Sequence, residues 1–142
     1  MADKSRLSLN TATVNQWSLE ECINGCVRHG IAAIDPWRDG LHNLGADVAR
    51  EMLIDNDIKV SALCRGGMFT GNNTLECEAA LDDNRRAVDE AVKINAQCLV
   101  LVVGGLPAES KDINDARQQV RDGIGKLLDY ARTGDMPLAI EP

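Results

Sequence analysis

Leu138-Ala-Ile-Glu-Pro142 carries the sharpest chemical signal in the chain: a carboxylate, Glu141, set directly after three apolar residues. A carboxylate there must be hydrated, paired or bound to metal, and hard divalent cations favour such oxygen ligands. Arg65 is the second signal. Gly66-Gly67 follows it, so its guanidinium is uncrowded and suits a phosphate or carboxylate. It suits a surface pair with Asp35 or Asp39 equally well. Other polar groups close other apolar stretches: Asn10 and Thr11, then Asp35, Trp37, Arg38 and Asp39. Gly104-Gly105 is not a dinucleotide fingerprint, because the third glycine is missing and Pro107 interrupts the expected helix start. Two glycines there let a loop or a ligand come close. Cys22 and Cys26 are one helical turn apart, but no further metal ligand accompanies them and packing accounts for them better. His29 reads as a capping cation at most, and His42 as a solvent-exposed residue at a helix start.

The elements that must position these groups follow from Cys98-Leu-Val-Leu-Val-Val-Gly-Gly105. An unbroken, half β-branched apolar run of this length predicts a strand buried on both faces, as in a parallel sheet covered by helices. Further strands are expected at 6–12, 31–37, 59–64 and 137–142. Ser18-Leu-Glu-Glu21 has the form of a capping box, with Trp17 and Cys22 at staple positions, Leu19, Cys22, Ile23 and Cys26 on one face, and Gly30 as the stop. Leu41, Leu44, Val48 and Met52 predict the buried stripe of a second helix. Met68 to about Cys77 is too long for a simple connection and is a candidate binding loop. A third helix turns Leu81, Val88, Ala91 and Val92 inward and Asp82, Asp83, Arg85 and Arg86 outward. Asp112 caps a fourth, whose inner face is Ile113, Ala116, Val120, Ile124, Leu127 and Leu128 and which ends at Gly134. Gly123 and Gly125 inside it cost about 1 kcal/mol each relative to alanine, which close packing on a neighbour would explain. The resulting (βα)4β order means α/β with a parallel sheet and right-handed crossovers. An open parallel sheet and part of a (β/α)8 barrel both fit, and in both the chemistry collects at the carboxyl ends of the strands.

The chain has 142 residues and a formal net charge of −7, with a pI near 4.7. That balance argues against a nucleic-acid partner and against an anionic membrane surface. Met1-Ala-Asp-Lys-Ser-Arg lacks the apolar core of a secretory leader, and no apolar run approaches the roughly 20 residues of a membrane span. The five cysteines, an odd number, read as reduced residues of a cytoplasmic protein.

Trp37-Arg-Asp39, Leu63-Cys-Arg-Gly-Gly67, Leu81-Asp-Asp-Asn-Arg-Arg86, Leu99-Val-Leu-Val-Val-Gly-Gly105 and Leu138-Ala-Ile-Glu-Pro142 closely resemble the sugar phosphate isomerase/epimerase family, in the xylose-isomerase-like TIM-barrel superfamily. The resemblance runs from about Leu7 to Pro142. It implies one domain over residues 1–142, the leading (βα)4β portion of a TIM (β/α)8 barrel that stops after the fifth strand. It also implies a rim that binds one divalent metal (Mn, Mg, Co or Zn) and metal-assisted proton abstraction next to the carbonyl of a sugar or sugar phosphate. Glu141 matches the family's metal-ligating glutamate, which is also the acid/base in epimerase members. Asn10, Trp37, Arg38 and Arg65 are then the expected substrate contacts. The family's remaining ligands lie on later strands, so weak metal binding and little turnover are expected of this chain alone. Two alternatives stand beside this reading. One is a non-catalytic half-barrel that forms homo-oligomers through exposed sheet edges. The other is a metal-free open-sheet binder of a sugar phosphate or nucleotide.

Overall fold

The computed structural model describes residues 4–141, and the chain divides into two compact units. The first comprises residues up to Cys64 together with Glu90–Cys98; the second comprises Arg65–Asp89 and the residues from Leu99 onward. The elements in chain order are β1 (Ser8–Asn10), α1 (Leu19–His29), β2 (Ala33–Asp35), α2 (Arg38–Leu44), α3 (Ala46–Asp55), β3 (Lys59–Val60), β4 (Leu63–Gly67), α4 (Thr74–Lys93), β5 (Leu99–Val102), α5 (Ile113–Thr133) and β6 (Leu138–Glu141). They form two three-stranded sheets, β1-β2-β3 and β4-β5-β6. The alternation of strands and helices thus yields the parallel α/β architecture that the sequence predicts.

In the first unit β1 pairs with β2 in parallel, with Asn10 beside Asp35, and β2 pairs with β3, with Ile34 beside Val60. The strand expected at 59–64 is broken in two. Ser61 N–H donates to Ile34 O, and Cys64 N–H, three residues on, donates to Pro36 O, only two residues on. One extra residue is therefore taken up around Ala62, the signature of a bulge. The capping box of α1 forms as written: Glu21 N–H donates to Ser18 Oγ at 3.2 Å and Ser18 N–H to Glu21 Oε2 at 2.7 Å. Gly30 closes the helix with φ of +62°. The single helix expected after β2 is two. Gly45, at φ +91°, breaks it, and the buried positions past the break become Ala49 and Leu53 while Val48 is exposed.

In the second unit β5 and β6 are parallel, with Leu99 beside Leu138 and Val102 beside Glu141. Leu99 and Leu101 are fully buried, but Val100 and Val102 are only half-buried. The burial on both faces expected of this strand is thus complete on one. The polar loop expected from Met68 to Cys77 shortens, because its centre is helix-capping material. Glu76 N–H donates to Asn73 Oδ1 at 3.0 Å, and Glu76 Oε2 accepts from Asn72 N–H at 2.7 Å, which starts α4 at Thr74. On α4 Leu81, Val88 and Ala91 are buried as expected and Val92 is not. Asp112 caps α5 by accepting from Asn114 and Asp115 N–H. On α5 Leu127 and Ala116 are buried, whereas Ile113 is 51 % exposed. Gly123 has its packing reason: a Cβ there would stand 2.5 Å from Cδ1 of the buried Phe69. Gly125 faces open space and nothing in the structure explains it.

Candidate functional site

Parallel pairing carries Asn10 and Asp35 to the carboxyl ends of β1 and β2, where they meet. Asn10 Nδ2 donates to Asp35 Oδ2 at 2.9 Å, and Asn10 Oδ1 accepts from Trp37 Nε1 at 3.0 Å and from Ala12 N–H at 2.9 Å. Trp37 N–H donates to Thr11 Oγ1 at 3.0 Å. One amide side chain thus fixes both a carboxylate and an indole on the rim of the first unit.

Asp35 is a strand-end group to which the sequence reading gives no role in the site. Its Oδ1 is buried without a hydrogen-bond partner. Burial pushes its carboxyl above the usual range, and the Cys64 thiol and the Asn10 amide oppose the shift. Perturbed carboxylates of this kind collect at functional sites. The signal available in the sequence was its place, one residue after Ile34 at a strand end; the missing information was its burial. Burial also pushes the Cys98 thiol up, and the Asp35 charge adds to this, so Cys98 is not poised as a nucleophilic thiolate.

A pH dependence follows. Because the folded carboxyl titrates above the unfolded value of about 3.9, stability from this group is full below that value and is lost as pH rises through the folded pKa. Asp35→Asn keeps an acceptor for Asn10 and removes the charge. Its unfolding midpoint in urea is expected to match the parent near pH 4 and to exceed it at neutral pH. A difference that does not change with pH would contradict this.

Arg38 is occupied. Its Nε lies 2.6 Å from Glu90 Oε2 and its Nη2 3.3 Å from Oε1. His42 Nε2 lies 2.9 Å from the same Oε1. Burial pushes the Glu90 carboxyl up, but the bonds from Arg38 and His42 outweigh it and hold the group below its usual range. Within the first unit the structure therefore brings Asn10, Trp37 and Asp35 together and ties Arg38 to the end of α4.

In the second unit Arg65 is half-buried. Among the described residues it has no ion-pair or hydrogen-bond partner. The glycines after it are not simply clearance for a ligand. A Cβ on Gly66 would meet Asn84 Oδ1 at 2.6 Å and Leu101 Cδ2 at 2.8 Å. Gly67, at φ +103°, lies against the Val102 backbone. Gly104, at φ +91°, admits the Met68 backbone, so the approach expected at Gly104-Gly105 is that of a loop. Thr70 Oγ1 donates to Gly105 O at 2.8 Å, and Gly71 N–H donates to Gln119 Oε1 at 2.9 Å, which fastens the segment.

Glu141 stands at the carboxyl end of β6, exposed, with its backbone oxygen accepting from Val103 N–H at 3.3 Å. Its carboxylate has no partner among the described residues. Among those residues no three His, Cys, Asp or Glu side chains come together to hold a metal ion. One carboxylate does not satisfy a divalent cation that takes six or more oxygens, so these residues do not make up the metal site that the resemblance implies.

Protein SMc04130 from Sinorhizobium meliloti, of known crystal structure, is 47 % identical and superposes with a TM-score of 0.96 over 99 % of this chain and 51 % of its own. Two more distant structures share the fold. IolI with a binding zinc atom matches at TM-score 0.79 and 16 % identity, over 94 % of this chain and 50 % of its own. The 3-keto-D-glucoside 4-epimerase of E. coli matches at TM-score 0.72 and 13 % identity, over 88 % and 51 %. The chain spans about half the length of these structures. No curated protein sequence matches it. The xylose isomerase-like TIM barrel matches residues 23–142, and with the parallel strands and rim described above, the chain belongs to that family.

Proposed function

We propose that the chain supplies the leading rim of a sugar isomerase or epimerase, with Glu141 as the group that moves a proton next to the substrate carbonyl. The observation that carries this is an exposed, unpartnered carboxylate at the end of a parallel strand, in register with the end of β5. A C–H beside a carbonyl is weakly acidic, and a positioned carboxylate is a suitable base for it. In the first unit, Asn10 and Trp37 are the groups suited to a polyol. In the second unit, the unpartnered Arg65 is the group suited to an anion such as a phosphate. Arg38, paired with Glu90, braces the start of α2 behind Trp37. Fold neighbours that are a sugar epimerase and a zinc-binding protein support the reading. Glu141 is the chain's own donor toward a divalent metal, and tight binding would take further donors.

Two measurements test this. Calorimetry with Mn, Mg, Co or Zn should give binding weaker than micromolar, and submicromolar binding by these 142 residues alone would overturn the donor argument. With metal supplied, hexoses in deuterated water should gain deuterium next to the carbonyl slowly, and Glu141→Gln should abolish the gain. Exchange unchanged by Glu141→Gln would remove Glu141 from the mechanism.

A second reading rests on β6, an edge strand on which Ile140 is 55 % exposed. An exposed apolar edge invites pairing with another chain, and self-association through it is expected. Light scattering that shows a monomer at high concentration would exclude it. The free state of all five cysteines supports a reducing compartment such as the cytoplasm, and among the described residues no helix is long and apolar enough to cross a membrane.

A further inference from the structure

The first unit holds a cleft of about 580 Å³ between the segment joining β1 to α1 and the start of α2. Both tryptophans of the chain, Trp17 and Trp37, line it. Their surfaces are 39 % and 36 % exposed. Each ring is also held in place. Trp17 lies so close to Gly25 that a Cβ there would approach Cζ3 to 3.0 Å, and Trp37 donates to Asn10. Covering a fixed ring costs a ligand little ordering entropy.

Among the described residues, the charged side chains lining the cleft are Glu20 and Asp39, and no lysine or arginine lines it. Neither carboxylate has a hydrogen-bond or ion-pair partner among the described residues. A phosphate or carboxylate would face two like charges with nothing to offset them. A neutral ring would leave both charges unused. A cation uses everything present: indole faces attract cations more strongly than other aromatic rings, and two nearby carboxylates deepen the attraction.

We propose that this cleft binds a small organic ammonium ion, either an alkylammonium or the protonated amine of an amino sugar. The proposal shares Trp37 with the polyol reading above but does not depend on Glu141, which belongs to the second unit. Both carboxylates also lie in the first turns of helices, where acidic residues are favourable without any ligand. The experiment must therefore read binding and not stability.

The two tryptophans provide the readout. The full chain, excited at the red edge where tyrosine is silent, is titrated with choline chloride, glucosamine hydrochloride, glucose and glucose 6-phosphate at ionic strength held constant with sodium chloride. A saturable change is expected with choline or glucosamine, and binding on the order of tenfold weaker with glucose. Choline alone would assign an alkylammonium, and glucosamine alone an amino sugar. The isosteric surface variant Glu20→Gln/Asp39→Asn, checked for fold by circular dichroism, should weaken ammonium binding on the order of tenfold. No saturable response to either ammonium ion, a response to glucose or its phosphate as strong as to glucosamine, or unchanged affinity in the folded double variant would each overturn the proposal.

Discussion

Gly67→Ala should cost about 4 kcal/mol and lower the thermal midpoint by roughly 10–20 °C. Two penalties act at once. The backbone φ of +103° lies where an L side chain is strained. A Cβ would also press on the Val102 backbone, with N and C both at 2.7 Å. The neighbour is β5 itself, held by the Met68 N–H bond to Val102 O at 2.8 Å, so it can yield only by parting the ladder. Against a usual total of 5–15 kcal/mol, this loss is a large fraction. Thermal unfolding gives the midpoint, and amide exchange locates the damage: the Met68 N–H should lose protection in the variant. A midpoint within a degree or so of the parent would mean that β4 and β5 are not in this contact.

Asn84→Ala should cost about 3 kcal/mol. Asn84 is 1 % exposed. It donates from Nδ2 to Gly67 O at 2.7 Å and to Ala80 O at 2.8 Å, and its Oδ1 accepts from Gly67 N–H. Alanine would leave both backbone groups of Gly67 buried without partners. Asn84→Asp makes the sharper comparison. An ionised carboxylate can accept from Gly67 N–H but repels Gly67 O, and burial raises its pKa. The aspartate variant should therefore be no better than alanine at neutral pH and should regain stability as pH falls, because a protonated carboxyl can donate to Gly67 O. Denaturant midpoints at neutral and acid pH decide the matter. An aspartate variant as stable as the parent at neutral pH would contradict the donor role assigned to Nδ2.

The features that could be read in the sequence were those set by local rules. The capping box at Ser18 and Glu21, the stop at Gly30 and the Asp112 cap depend on residues within one turn of each other. The parallel order followed from the alternation of strand and helix signals. What escaped depended on contacts distant in sequence. Asn84 was read only as part of the Leu81-Asp-Asp-Asn-Arg-Arg86 resemblance, and its pairing with Gly67 explains its burial. Gly66-Gly67 looked like clearance for Arg65, whereas Asn84, Leu101 and Val102 already fill that space. The break at Gly45 shifted the buried positions of the following helix by one residue, so Val48 and Met52 gave way to Ala49 and Leu53. Of the rim groups, Asn10 and Asp35 were legible because they end strands and Trp37 because it follows one; the buried, unpartnered oxygen of Asp35 could not be read from composition.

The seat of Phe69 on Gly123 bears on what holds the last helix together. The helix gives up propensity at Gly123 and again at Gly125, so it forms poorly alone, and it recovers stability when an aromatic ring from 54 positions earlier settles into the notch. Helical structure over Ile113–Thr133 is therefore expected to depend on that packing, and a peptide cut to that span should remain largely coil.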